Sequence, residues 1–230
     1  MSASTARTAF WKGAHTILPV LLGIVPFGAI VGITAGSTEI GGLTGLLTSP
    51  IIFAGAAQLA TIQLVDQGAA AAVIVATALV INSRHLMYSA ALAGPFQQFP
   101  RSWRLALPYL LTDQAFLFAS LNWETEPDPV ARRWFFLGAG LGLWVPWQIA
   151  TAVGVVVGTG VPESWELDFA VPLVFMALLP TSIRARPELA AALVAGVVAV
   201  VAQPMPWNVG LIVAAAAGIV TGVGAARGRS

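Results

Sequence analysis

Apolar residues run through this chain in long continuous blocks, without the alternation of a half-buried strand. Eight blocks stand out, at residues 15–36, 46–65, 69–93, 104–121, 134–158, 167–183, 188–204 and 207–225. A helix needs about 20 apolar residues to cross the hydrocarbon layer. Lipid offers backbone groups no partners, so unbroken apolar runs predict helices, not the alternating strands of a barrel. The pattern predicts an all-α, polytopic transmembrane bundle of eight helices. Seven result if the last two blocks, parted only by Gln203-Pro204-Met205-Pro206, form one re-entrant pair. Residues 1–230 then make a single integral membrane domain.

Within the blocks an internal echo appears. Val25-Pro26-Phe27 returns as Val145-Pro146-Trp147, and Pro50-Ile51-Ile52-Phe53 returns as Pro172-Leu173-Val174-Phe175. This predicts two repeat-like halves, about 15–121 and 134–226, built on proline-broken helices, as transporters often are. Whether the halves are parallel or inverted follows from the helix count. Ser49-Pro50 reads as the start of a helix, serine as cap and proline in the first turn. Free N–H groups there would suit a carboxylate. Gly28, Gly32 and Gly36 form a ladder suited to close helix packing.

Composition agrees with the pattern. The chain is 57% hydrophobic and 9% charged, with a mean hydropathy of +0.83. A soluble domain carries about 25% charged residues, so this chain could not wet a globular surface. The net charge of +1 implies no nucleic-acid partner. There is no cysteine, which excludes disulfides and thiolate metal sites. Lysine occurs once, at Lys12, so no embedded lysine is present to hold a Schiff base. The first block carries Pro19 and Pro26 and is too long for a signal peptide; it is expected to remain as a helix. With eight crossings and a cytoplasmic N-terminus, Arg7, Lys12, Arg132, Arg133, Arg184, Arg186, Arg227 and Arg229 lie inside. Arg101, Arg104 and the acidic loop Glu163, Glu166 and Asp168 lie outside. The positive-inside rule favours that arrangement, with both termini in the cytoplasm.

The chemistry of the chain concentrates in two blocks. Val80-Ile81-Asn82-Ser83-Arg84-His85-Leu86-Met87-Tyr88-Ser89 puts a guanidinium inside an apolar run. A charge at that depth costs about 2.5–3.5 kcal/mol on insertion scales, so it is expected to face a cavity or a partner. On a helix Asn82, His85 and Ser89 share one face, and Arg84 and Tyr88 the next. The fourth block holds the one carboxylate well inside any run, Asp113, within Thr112-Asp113-Gln114. Opposite charges in one bundle lower each other's burial cost, so an Arg84–Asp113 pair is expected. Such a pair is either a static brace or a site where a substrate carboxylate competes for Arg84 and an ammonium for Asp113. His85 and Asp113 are candidate proton carriers. Gln58 could line the same path, with Pro26, Pro50 and Pro172 at the helix breaks. Phe27, Phe53 and Phe175 could accept an apolar side chain.

Enzyme signatures are absent. There is no Gly-x-Ser-x-Gly elbow, no His-Glu-x-x-His pair and no Walker A loop. No enzymatic activity, cofactor or metal site is expected. Transport through the bundle is the leading reading. A channel or carrier for another small solute, or a non-transporting scaffold, are the alternatives.

At these residues the chain resembles the AzlC family. The matching stretches are Val25-Pro26-Phe27-Gly28 with Gly32, and Phe53-Ala54-Gly55-Ala56-Ala57-Gln58. Asn82-Ser83-Arg84-His85 with Tyr88, and Thr112-Asp113-Gln114-Ala115-Phe116, complete the set in the family's order. The resemblance implies the larger subunit of a two-component exporter in the cell membrane, paired with a small AzlD-type membrane subunit. It implies valine, leucine and isoleucine as substrates, with methionine and analogues such as azaleucine, moved by the proton gradient. A common form of the fourth motif reads Asp-Glu, whereas this chain has Asp113-Gln114. Without that second carboxylate, proton coupling is left to Asp113 or His85.

Overall fold

A computed structural model describes residues 3–38, 40–158, 183, 185–205 and 209–227. The chain forms two compact units, residues 1–171 and 172–230. Among the described residues all regular structure is helical. The first unit contains α1 (Ala3–Ser37), α2 (Gly42–Ile52), α3 (Gly55–Asp66), α4 (Ala71–Asn82), α5 (Arg84–Gln97), α6 (Arg101–Ala106), a 3₁₀ turn (Leu107–Leu110), α7 (Asp113–Trp123) and α8 (Pro129–Gly158). The second contains α9 (Arg186–Val201) and α10 (Val209–Arg227).

The frame of the first unit is the pair α1 and α8, of 35 and 30 residues. At about 1.5 Å per residue each exceeds the roughly 30 Å hydrocarbon layer. They run parallel. Gly13 lies against Phe135 and Ala139, Gly28 against Trp147 and Ala150, and Gly32 against Thr151 and Val155. A Cβ on Gly32 or Gly154 would strike the backbone of the opposite helix. Two glycines of the ladder, Gly28 and Gly32, thus pack against α8 as their spacing predicts, Gly32 backbone to backbone.

Helices α4 and α5 join at a 42° bend around Ser83 and are together long and apolar enough for one span. Among the described residues, two single helices are long and apolar enough to span, and three spans exist if this bent pair is counted. The expected count of eight is not seen there, and block 167–183 lies, apart from Ile183, outside the described residues.

Blocks 46–65 and 104–121 are not continuous helices, which corrects the sequence reading. The first breaks at Phe53-Ala54. Phe53 sits at φ 35, the one non-glycine residue at positive φ among those described, and Ala54 is extended. The chain then turns back on itself. Gln58 donates to the hydroxyl of Thr48 at 3.2 Å, yet ten residues of straight helix would separate them by about 15 Å. At the open end of the hairpin, Gly45 packs on Ala35 near the carboxyl end of α1. At its tip, Gly55 packs on Phe27 and Trp147, part-way along α1 and α8.

Block 104–121 makes a second hairpin from the opposite end. Trp103 packs on Trp134 near the amino end of α8, with ring centroids 5.0 Å apart. Leu110 reaches Gly140, and Tyr109 reaches Trp144 further along. After the break at Leu111-Thr112, α7 descends until Trp123 meets Phe136 and the Arg132 carbonyl. Neither α2 nor α7, at 11 residues each, could cross a bilayer alone.

The breaks are not at prolines. Pro19 and Pro26 lie inside α1, Pro50 inside the last turn of α2 and Pro146 inside α8. A proline removes one intrahelical bond, which packed neighbours and local backbone adjustments tolerate in a membrane bundle. Ser49-Pro50 accordingly does not start a helix; the start is Gly55, with Ala54 as its cap. A second correction concerns charge. Arg133 stacks over Trp103 at 5.0 Å, and Lys12 lies 6.0 Å from the Phe135 ring. The α6 segment carrying Arg101 and Arg104 thus sits at the end holding Lys12, Arg132 and Arg133, not at the opposite face.

In the second unit, α9 and α10 pack antiparallel through small residues. Gly222 and Gly218 meet Ala191 and Ala195, and Gly210 meets Ala202. The backbone N–H of Ala185 donates to Glu188 at 2.9 Å and fixes the start of α9.

Candidate functional site

Two of the helix breaks put opposite charges together. Arg84 opens α5 at the bend, and Asp113 opens α7 at the tip of the second hairpin. Local sequence dictates both positions. The Ser83 hydroxyl donates to the Val80 carbonyl at 2.8 Å, a back-bond that competes with the helix ladder where it bends. Thr112 caps α7 by accepting from the Ala115 N–H at 3.2 Å. Asp113 then falls in the first turn, where the helix dipole favours a carboxylate.

Arg84 Nη1 donates to Asp113 Oδ2 at 2.8 Å, with the two side chains 33% and 40% exposed. The contact is single. Arg84 Nε, Asp113 Oδ1 and Asn82 Oδ1 are each buried without a hydrogen-bond partner. The Tyr88 phenol also bonds to the Asp113 carboxylate, so the unmet hydrogen-bonding capacity lies with the enclosed Arg84 Nε and Asn82 Oδ1. Around it, Tyr88 stacks on Phe116 with centroids 4.5 Å apart, and His85 meets Tyr88 edge-on. The Tyr88 phenol interacts with both Asp113 and Arg84. His85 Nδ1 lies 3.1 Å from the Asn82 carbonyl, a local contact within the bend.

A second polar cluster lies at the tip of the first hairpin. Gln58 is fully buried, and its amide is bonded at both ends. It donates to Thr48, and Trp147 Nε1 donates to its Oε1 at 3.3 Å. Phe27 packs edge-on against Trp147 at 5.5 Å, so Gln58 and the apolar pair Phe27 and Trp147 form one wall. Phe53 faces Tyr109 at 5.9 Å. Tyr109 donates its hydroxyl to the Pro50 carbonyl at 2.7 Å and accepts from Trp144 Nε1 at 2.9 Å.

The structure therefore brings Arg84 and Asp113 together, with Asn82 and His85 beside them. It groups Gln58, Phe27, Phe53 and Pro50 at the other tip. Pro26 lies one residue from Phe27 but at no break. Pro172 and Phe175 lie outside the described residues. Tyr109, Trp144 and Trp147 are site residues that sequence reasoning does not single out. The one signal for Trp147 is the Val-Pro-Trp echo of Val-Pro-Phe. The structure puts Phe27 and Trp147 in contact on parallel helices, so this echo marks a packing pair.

A family described as AzlC protein matches residues 19–161, which include both tips and the ion pair. The chain belongs to the AzlC family. An uncharacterized membrane protein from Archaeoglobus fulgidus is 28% identical over 227 residues, covering 95% of this chain and 96% of the relative. The inner membrane protein YgaZ of Escherichia coli is 26% identical over 221 residues, covering 93% and 87%. No solved structure matches the chain. The AzlC match and the apolar helices together make this a membrane protein.

Chemically, the pair can hold a zwitterion. A carboxylate can take hydrogen bonds from the guanidinium, and an ammonium can donate to Asp113 Oδ1 and Asn82 Oδ1. Among the described residues no group of three or more His, Cys, Asp or Glu could hold a metal ion.

Proposed function

We propose that this chain is a secondary membrane transporter that exports branched-chain amino acids. Valine, leucine and isoleucine are the substrates, with methionine and analogues such as azaleucine as further cargo. The single observation that carries the reading is the Arg84–Asp113 pair, held by one bond at two helix interruptions, with Arg84 Nε unpaired and the Asp113 carboxylate shared with the Tyr88 phenol. A pair built only as a brace would be expected to satisfy its remaining guanidinium donor, because an unmade bond there costs about 1–3 kcal/mol. An amino acid's carboxylate satisfies that donor, and its ammonium can share the Asp113 carboxylate with Tyr88. Its aliphatic side chain takes the aromatic surfaces of Phe27, Phe53 and Trp147. An apolar wall separates one methylene from none by only about 1–3 kcal/mol, so the three branched substrates should compete.

The proton gradient drives export in this reading, with Asp113 or His85 carrying the proton. A small AzlD-type membrane subunit completes the exporter. The location is the inner, cytoplasmic membrane with both termini in the cytoplasm; the name of the Escherichia coli relative supports the membrane assignment. The test is efflux from cells loaded with a valine-containing dipeptide. Deletion of the gene should raise internal valine, and Arg84→Ala should do the same at normal protein level. Unchanged valine efflux in the deletion strain overturns the assignment.

A further inference from the structure

The two hairpins enter the first unit from opposite ends, and their landmarks recur at a constant interval. Pro26, in the interior of α1, is followed 58 residues later by Arg84, at the α4–α5 bend. Pro50, three residues before the first break, is followed at the same interval by Pro108, three residues before the second. Gly55, which opens α3, is followed at that interval by Asp113, which opens α7. Each set reads as a span, then a half-length helix, an unwound tip and a returning half-length helix.

The direction reverses between sets. The span α1 is followed by a hairpin that hangs from its carboxyl end, where Gly45 meets Ala35. The span α4–α5 runs the other way. Its end meets the amino end of α8, Phe96 lying 5.5 Å from Phe136. Its hairpin rises from there. This is the inverted arrangement from which transporters obtain two equivalent, oppositely facing states.

We infer that residues 3–66 and 71–123 are an inverted repeat, and that their hairpins are the two gates of one site lying between the tips. This rests on the transport reading above and adds its mechanism and location. The Tyr109–Pro50 hydrogen bond, with Phe53 on Tyr109, ties tip to tip and closes the site. The repeats share a backbone plan but not chemistry. The second carries the charges, Arg84 and Asp113, where the first has Pro26 and Gly55. The second therefore holds the polar ends of a zwitterion, and the first supplies the apolar wall of Phe27 and Trp147. Opening the α2–α3 hairpin exposes the site at the carboxyl end of α1. Opening the α6–α7 hairpin exposes it at the amino end.

The absence of native cysteine makes the test direct. Single variants Gln67→Cys, in the α3–α4 turn, and Gln98→Cys, before α6, are treated in intact cells with a membrane-impermeant maleimide. References are Thr38→Cys at the carboxyl end of α1 and Thr8→Cys near its amino end. Re-entrant hairpins predict that Gln67→Cys labels with Thr38→Cys, and Gln98→Cys with Thr8→Cys. Full crossings by both blocks predict that Gln67→Cys labels with Thr8→Cys instead, and that result overturns the repeat whether or not the protein transports anything.

Gating is read separately from the double variant Phe53→Cys/Tyr109→Cys. Joining the two thiols with a bis-methanethiosulfonate reagent long enough to span the space of the two rings should lower amino-acid efflux at least tenfold, and reduction should return it to the level of the untreated variant. A cross-link that forms and leaves efflux unchanged overturns the gates while the transport reading stands. Failure of the cross-link to form overturns the contact between tips. Tyr109→Phe, which keeps the ring and loses the hydroxyl, should alter the labelling rate of Ala54→Cys at the tip. An unchanged rate removes the hydrogen bond as the latch.

Discussion

The hydroxyl of Tyr109 donates to the carbonyl of Pro50 at 2.7 Å, joining segments 59 residues apart in sequence. Both residues stand next to unwound backbone. Pro50 lies three residues before Phe53, and Tyr109 lies two before Leu111. Unwinding leaves carbonyl and N–H groups without helical partners, which is tolerable at membrane depth only where protein or water surrounds them. Two such tips in contact share that cost. They also mark where a polar substrate could cross an otherwise apolar unit.

Removing one charge of the Arg84–Asp113 pair leaves the other part-buried without its counter-ion. Arg84→Gln and Asp113→Asn should each lower the yield of monodisperse protein in detergent. The double variant should recover that yield but not efflux. Fluorescence-detected size-exclusion chromatography, beside efflux of a loaded amino acid, checks both parts. Recovery of efflux in the double variant would make the pair a brace.

The α1–α8 contact is fixed by glycines. Gly154→Val puts a side chain into the Ala29 backbone of α1 and should destabilise the fold by about 3 kcal/mol or more, at or above the usual range for overpacking. Gly23→Ala meets nothing within 4 Å and should be neutral or slightly stabilising, because alanine favours helix over glycine by roughly 1 kcal/mol. Thermal unfolding of the purified protein separates the two.

Gln58 is completely buried and bonded to both Thr48 and Trp147. Gln58→Leu keeps the volume and strands the indole N–H, at a cost of about 1–3 kcal/mol. Gln58→Glu should cost more, because the site offers a carboxylate no cation. Melting temperatures in detergent should fall in the order wild type, Leu, Glu.

Phe53 occupies the left-handed region with its ring buried. Such a residue stores about 1–3 kcal/mol of strain. Phe53→Gly relieves the backbone and removes the ring from Tyr109. Loss of the buried ring costs about 3–5 kcal/mol, only partly offset by the strain released, so the melting temperature should fall, and efflux should fall with it if the ring contact closes the site. A drop in melting temperature with normal efflux would make the ring structural.

The fold class and the ion pair are legible in the sequence. Charge scarcity and unbroken apolar blocks suffice for a helical membrane protein, and the isolation of Arg84 and Asp113 among apolar neighbours points to their pairing. The hairpins are not legible, for a physical reason. Eleven residues in α2 and twelve in α3 together have the hydropathy of one spanning helix, and the turn between them carries no turn residue at its critical position. Phe53 adopts positive φ through tertiary packing, whereas the prolines that suggest breaks are absorbed within helices. Counting crossings as full spans then puts Arg101 and Arg104 on the wrong face. A hairpin brings the chain back to the side it left, and a span does not.

Amino-acid transport by this route requires Arg84 and Asp113 to hold the polar ends of the substrate. Proteoliposomes containing the protein with its AzlD-type subunit and preloaded with valine allow exchange against external labelled leucine to be measured without a driving force. Wild type should exchange the two, and Arg84→Gln should lower the exchange rate at least tenfold with the protein still folded. Exchange in Arg84→Gln at the wild-type rate would remove the guanidinium from substrate binding and refute the proposed site.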